Sequence, residues 1–173
     1  AIAVQGFGNV GSVSAELLAR EMGARIVAVT DWKGGVYNAQ GLDVPKLLEY
    51  VAQHKSVAGF EGAEPMSNAD LFKLKVDVLI PAALENQIAM ENAASIQAKV
   101  IIEGANGPTT PEAHQFLHDR GVFIVPDILA NSSGVTTSYF EWVQDRYGYF
   151  WTEKEVNERL ESKMCEAFED VLN

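Results

Sequence analysis

Cysteine is almost absent. Cys165 is the single one in 173 residues, which excludes an internal disulfide and any cysteine-cluster metal site. Positive charge is also scarce. Lys and Arg total 13 against 24 Asp and Glu, a formal net charge of -11. A surface of that sign repels phosphate backbones and anionic membranes, so neither nucleic acid nor membrane is expected as a partner. No apolar run reaches the ~18 residues of a membrane span. No basic region precedes the apolar start Ala1-Ile2-Ala3-Val4, so no secretory signal is read and a cytoplasmic setting is expected. There is no H-E-x-x-H zinc signature and no G-x-S-x-G nucleophile elbow. His114 and His118 stand four apart, but no third ligand of matching type lies near. They read as a solvated helix face, and no metal site is expected. Cys165 adjoins an apolar helical stripe and reads as a small hydrophobe.

Hydrophobic residues make up 47%, enough for a packed core and too many for a disordered chain. The length suits one domain, 1–173. Short apolar runs alternate with amphipathic ones. Strands are expected at Ala1–Gln5, Arg25–Thr30, Val76–Ile80, Lys99–Ile102 and Val122–Val125. Helices are expected over Val10–Met22, Asp43–His54, Ser67–Leu74, Asn86–Ile96, Thr110–Asp119 and Ser133–Tyr147. A last helix is opened by the capping box Thr152-x-x-Glu155, with the stripe Val156, Leu160, Met164, Phe168 and Val171. Trp32–Gly41 and Val57–Pro65 read as loop or irregular. Strand–helix alternation with continuous apolar strands predicts an α/β fold: a Rossmann-like, doubly wound, mostly parallel sheet with helices on both faces. The chain opens directly on a strand and closes inside an amphipathic run at Asn173, so it reads as an internal piece of a longer protein.

The sharpest chemical signal is Gly6-Phe7-Gly8-Asn9-Val10-Gly11, directly after the first strand and at the start of the first helix. Gly6 would allow the tight turn, Gly8 the approach of phosphates to the backbone, and Gly11 close helix–strand packing. The helix N-terminus offers N–H groups and partial positive charge to a pyrophosphate. Asp31 ends the second strand, where a carboxylate accepts hydrogen bonds from the adenosine ribose. A methyl-donor nucleoside site or a purely structural turn would use a similar string. Trp32 and Lys33 suit either the adenosine end or loop packing.

Two further strand-end loops carry Asn106, in Glu103-Gly104-Ala105-Asn106-Gly107-Pro108, and Asn131, in Pro126-Asp127-Ile128-Leu129-Ala130-Asn131. In an open parallel sheet, ligands lie beyond the carboxyl ends of the strands. Asparagine supplies both a donor and an acceptor, although it is equally a turn residue. Val135-Thr136-Thr137-Ser138-Tyr139-Phe140-Glu141-Trp142 then presents hydroxyls and aromatics on the helix that follows.

Four strings together resemble the glutamate dehydrogenases of the Glu/Leu/Phe/Val dehydrogenase family: Val4–Gly11, Pro81-Ala82-Ala83-Leu84-Glu85-Asn86, Glu103–Ala113 and Val135–Trp142. The resemblance runs the length of the chain and implies the nucleotide-binding domain. The implied reaction is NAD(P)-dependent oxidative deamination of L-glutamate to 2-oxoglutarate and ammonia. By that resemblance Phe7, Gly8, Asn9 and Val10 lie against the pyrophosphate and Asp31 against the ribose. Ala82 and Ala83 line the cofactor, and Asn106 and Asn131 hold the nicotinamide ribose and carboxamide. Ser138 meets the substrate's side-chain carboxylate. The family's catalytic Lys and Asp belong to a preceding substrate domain that no part of this chain matches, so no catalytic residue is assigned here. The family's final helix is also unmatched.

The implied partners are the small-molecule substrate, the rest of its own chain, and sister subunits in a homo-hexamer. NAD is expected over NADP, with NADP possible, because Asp31 would face a 2′-phosphate. Ser133 departs from the family, which usually has glycine there. A Cβ at this position would crowd the nicotinamide or demand a less favourable backbone angle. A leucine, phenylalanine or valine dehydrogenase remains an alternative, as does a stand-alone dinucleotide-sensing module. The Ser138–Trp142 string favours the glutamate branch, and the lack of a basic face disfavours a sensor with a nucleic-acid output.

Overall fold

A computed structural model describes residues 1–172. They form two compact units, Ala1–Val125 and the segment from Pro126 onward. The first unit contains β1 (Ile2–Gln5), α1 (Asn9–Met22), β2 (Ile26–Thr30), β3 (Gly35–Tyr37), α2 (Val44–His54), β4 (Glu64–Met66), α3 (Asn68–Leu71), β5 (Val78–Pro81), α4 (Met90–Ala93), β6 (Val100–Ile102), α5 (Pro111–Asp119) and β7 (Phe123–Val125). The strands form one sheet in the order β4-β3-β2-β1-β5-β6-β7. The pairs from β2 through β1 to β7 are all parallel, whereas β3 joins β2, and β4 joins β3, antiparallel. Both sheet faces are covered. Ile2, Val4, Ile26 and Val29 pack with Ala15 of α1 and Val44 and Leu47 of α2. Ala3, Ala28, Leu79 and Ile101 pack with Leu71 of α3, Ala93 of α4 and Ala113 and Leu117 of α5. The expected Rossmann-like α/β architecture is the one found.

Side-chain caps set the start of several helices. The Asp43 carboxylate accepts from the Lys46 N–H at 3.2 Å, with Pro45 in the first turn of α2. Thr110 caps α5 through the Ala113 N–H at 3.3 Å, ahead of Pro111. Each such cap satisfies a donor that the helix itself leaves without an acceptor.

Three expectations are corrected. The segments read as loop and irregular contain β3 and β4. These three-residue strands hold Gly35 and Pro65, poor strand formers, and exist through pairing, β3 with β2 and β4 with β3, rather than through propensity. Gly35 is required there, since a Cβ would meet the Thr30 side chain and the Val29 carbonyl. The helix expected over Asn86–Ile96 shrinks to Met90–Ala93. Asn86 takes a positive φ of 55°, and the N–H groups of Asn86 and Ile88 donate to the carbonyls of Gly107 and Pro108, both at 2.8 Å. The helix expected over Ser67–Leu74 is the single turn Asn68–Leu71.

The second unit contains α6 (Asp127–Ala130), α7 (Ser133–Tyr147) and α8 (Glu153–Leu172). The Gln144 side chain ties α7 to the connection before α8. It accepts from the Trp151 N–H at 2.6 Å and donates to the Phe140 carbonyl at 3.1 Å. Trp151 packs edge-on against Phe140, with the Arg159 guanidinium 4.2 Å from its ring centroid. The capping box forms as expected: Thr152 N–H to Glu155 at 2.8 Å, and Glu155 N–H to the Thr152 hydroxyl at 3.3 Å. The Thr152 N–H first, and then its hydroxyl, which also donates to the Glu155 carboxylate at 2.8 Å, hold that carboxyl below its ordinary range. No helix among the described residues is long and apolar enough to cross a membrane.

Candidate cofactor site

The strand order reverses beside β1. β2 lies on one side of it and β5 on the other, so a crevice opens beyond their carboxyl ends. The loop leaving β1 and the loop leaving β5 form its walls. Gly6, at φ +93°, lies so close to the opposite wall that a Cβ would come 2.7 Å from the Ala82 carbonyl oxygen and 2.8 Å from the Ala83 Cα. A Cβ on Gly11 would collide with the Gly6 carbonyl oxygen and come 3.1 Å from the Val4 side chain. These two glycines let the wall, the turn and the helix meet. Gly8 is different: nothing lies within 4 Å of a Cβ placed there. Its missing side chain leaves open space beside the first turn of α1.

That turn has no side-chain cap, in contrast to α2, α5 and α8. Gly8 at the N-cap offers no side chain, and no acidic residue lies in the first turn. The first backbone bond of α1 runs from Ser12 N–H to the Gly8 carbonyl at 2.9 Å. The N–H groups of Asn9, Val10 and Gly11 precede it and have no acceptor within the helix. A helix start in this condition, next to open space, suits a pyrophosphate.

A cavity of about 520 Å³ occupies the crevice, lined among others by Gly6, Phe7, Gly8, Asp31, Ala82 and Ala83. Six of the residues singled out in the sequence thus come together. Asn9, Val10 and Gly11 follow on α1. Asn106 lies in the loop after β6, near Gly104, where a Cβ would be 3.1 Å from Val10 and 3.3 Å from Ala82. That loop is held by the Ala105 N–H, which donates to the Pro81 carbonyl at 2.9 Å.

Asp31 has a structural duty as well. One carboxylate oxygen accepts from the N–H groups of Lys33 at 2.8 Å and Gly34 at 3.2 Å, and the other from Val57 at 2.7 Å. Its own carbonyl accepts from the Asn68 side chain at 3.1 Å. Trp32 is 83% exposed and lines the cavity, so loop packing is not its role, whereas Lys33 does not line it. The sequence reading missed Gln5, Lys55, Asn68 and Gln87, which also line the cavity. Lys55 ends α2 in the left-handed conformation at φ 59°. Only Gln5 carried a signal, as a polar residue closing an otherwise apolar strand.

Asn131 and Ser138 belong to the second unit. Asn131 closes α6, its N–H donating to the Asp127 carbonyl at 3.0 Å. Ser138 is exposed on α7, and its hydroxyl donates to the Gly134 carbonyl at 3.3 Å. Ser133 opens α7. Among the described residues, those other than glycine with positive φ are Lys55 and Asn86, so the expected backbone penalty at Ser133 is corrected: a helical start suits any residue.

The model of the Glutamate/Leucine/Phenylalanine/Valine dehydrogenase family matches residues 1–173. The chain belongs to this family. A glutamate dehydrogenase of Thermotoga maritima is 52% identical over 171 residues, covering 99% of this chain and 41% of that protein. An NADP-specific glutamate dehydrogenase of Synechocystis is 50% identical over 181 residues, covering 99% and 42%. The crystal structure of a hetero-hexameric glutamate dehydrogenase from Thermus thermophilus superposes with a TM-score of 0.88 at 36% identity, over 95% of this chain and 38% of that one. The chain therefore spans about two fifths of the length of the relatives it matches.

Proposed function

We propose that this dehydrogenase-family chain is the nucleotide-binding domain, 1–173, of a glutamate dehydrogenase. The observation that carries the reading is the uncapped first turn of α1, facing open space at Gly8 on the rim of a cavity at the strand-order reversal. The residues present fit a dinucleotide. The N–H groups of Asn9 to Gly11 would hold the pyrophosphate, Gly6 and Gly8 would admit it, and Ala82 and Ala83 would form an apolar wall. Asp31 would meet the adenosine ribose while keeping its backbone bonds, since a carboxylate has about four acceptor sites. Bound NAD(P) supplies the hydride acceptor for oxidation of L-glutamate to 2-oxoglutarate and ammonia. Asn106 and Asn131 would hold its nicotinamide end, and Ser138 would take the distal carboxylate of glutamate.

On this reading the proton-transfer residues lie outside the chain, in a substrate domain, and the whole enzyme is a cytoplasmic hexamer. NAD is the expected cofactor, but Lys55 on the same cavity as Asp31 gives a 2′-phosphate a cationic partner. That charge balance, with NADP-specific relatives such as the Synechocystis protein, supports acceptance of both. The test is calorimetric titration of NAD and NADP against wild type and Lys55→Ala. Both cofactors bind the wild type, and the variant loses affinity for NADP more than for NAD. Absence of binding by either cofactor would overturn the reading of the site.

A further inference from the structure

One buried polar group at the cavity has no part in the reading above. Gln5 closes β1 after Ile2, Ala3 and Val4, and it is 2% exposed. Its side-chain oxygen is sealed from water without a hydrogen-bond partner, a condition that disfavours a carboxamide over an apolar side chain. The other half of the same amide is engaged. Gln5 Nε2 donates to Gln87 Oε1 at 2.9 Å, bridging 82 positions of sequence. The Gln5 carbonyl accepts from the Ala82 N–H at 2.7 Å. Gln5 therefore grips both ends of the segment Ala82–Gln87, which forms the wall facing Gly6.

The far end of that segment is fixed in turn. Gln87 Nε2 donates to the Glu85 carbonyl at 3.2 Å, and the Gln87 carbonyl accepts from the Asn92 side chain at 2.8 Å. Between these anchors lie Ala83 and Leu84, both exposed, and Asn86 in its left-handed turn. Both glutamines line the same cavity as Gly6, Gly8 and Ala82.

We propose that Gln5 is a positioning residue. The hydrogen bond from its side-chain amide to Gln87 is a latch that sets the spacing between the Gly-rich turn and the Ala82–Gln87 wall, and so pre-forms the dinucleotide crevice. This rests on the cofactor reading above. A wall without the latch must be ordered at the moment of binding, which lowers affinity without touching the chemistry.

The test is a double-mutant cycle in the full-length enzyme that carries this chain, with Gln5→Met and Gln87→Met singly and together and Gly8→Val as the site control. Each single change raises the cofactor KM by roughly five- to tenfold, the scale of one hydrogen bond. Saturated kcat and the KM for glutamate stay unchanged, and the double variant is no worse than either single one. A cofactor KM that does not move overturns the latch. So does multiplication of the two effects in the double variant, or a fall in kcat at constant KM. If Gln5→Met fails to fold, Gln87→Met carries the test alone, because Gln87 is only partly buried. Hydrogen exchange at residues 83–87 of the free protein then rises with the cofactor KM, and unchanged exchange contradicts the proposal. If the wild type binds no cofactor, or Gly8→Val binds as well as wild type, the site reading itself has failed. If both behave as expected and only the glutamine variants are silent, the latch alone falls.

Discussion

At the scale of single residues, the Gly-rich turn divides its labour in a way a bare motif does not express. Gly6 and Gly11 are demanded by the protein's own backbone, whereas Gly8 is demanded by nothing in the protein. Gly11→Ala should therefore lower stability by about 1–3 kcal/mol, the usual cost of overpacking. The check is a thermal midpoint lower by several degrees, and an unchanged midpoint would contradict the packing assignment. Asp31 was legible as a candidate ribose ligand from its place at the end of β2. Its three bonds to backbone N–H groups were not, because the Val57 donor lies 26 positions away and reaches it only through the fold. Asp31→Ser should thus destabilise the protein by about 2 kcal/mol, as expected for hydrogen bonds to a charged acceptor, apart from any effect on cofactor. Chemical denaturation without cofactor reads this directly, and a wild-type midpoint would show the tethers to be idle.

At the scale of elements, legibility followed length and capping. α1, α2, α5, α7 and α8 each span nine or more residues, and all were visible in the sequence. Their periodicity or caps act locally. The failures were short and held by partners: β3 and β4 by an antiparallel neighbour, and Asn86–Ala89 by the 107–110 loop. Thr110→Ala removes a cap that was read directly from Thr-Pro-Glu, and it should cost about 1 kcal/mol, seen as a lower denaturation midpoint. The α8 capping box adds a pH dependence. Glu155 is held below its ordinary range by the Thr152 N–H and hydroxyl. A depressed pKa means the contribution is present above the unfolded glutamate value of about 4.3 and is lost as pH falls through the lowered folded value. Far-ultraviolet circular dichroism should show wild-type helix loss in that acidic window beyond that of Glu155→Ala. Superimposable titrations would mean the box does not form.

At the scale of the whole molecule, the first unit carries the crevice at the strand-order reversal and the second carries Asn131 and Ser138 in elements of their own. The division at Val125–Pro126 was not legible, since no composition shift or linker marks it, whereas the doubly wound sheet was, through its apolar strands. The length of the relatives implies that a dehydrogenase needs more chain than this. Positioning of two reactants supplies about 7–11 kcal/mol of barrier lowering, so this chain by itself should bind cofactor yet form no NADH from glutamate. Glutamate-dependent turnover by the pure chain would show that the catalytic groups lie within it. The central claim, a pyrophosphate seat at the start of α1, is tested most directly by titrating NADH into wild type and Gly8→Val with melting curves alongside. The account predicts saturable one-to-one binding to the wild type, and loss of binding in a variant that melts as the wild type does, because its side chain occupies only the open space at Gly8. Equal affinity in the two proteins would place the phosphates elsewhere and contradict it.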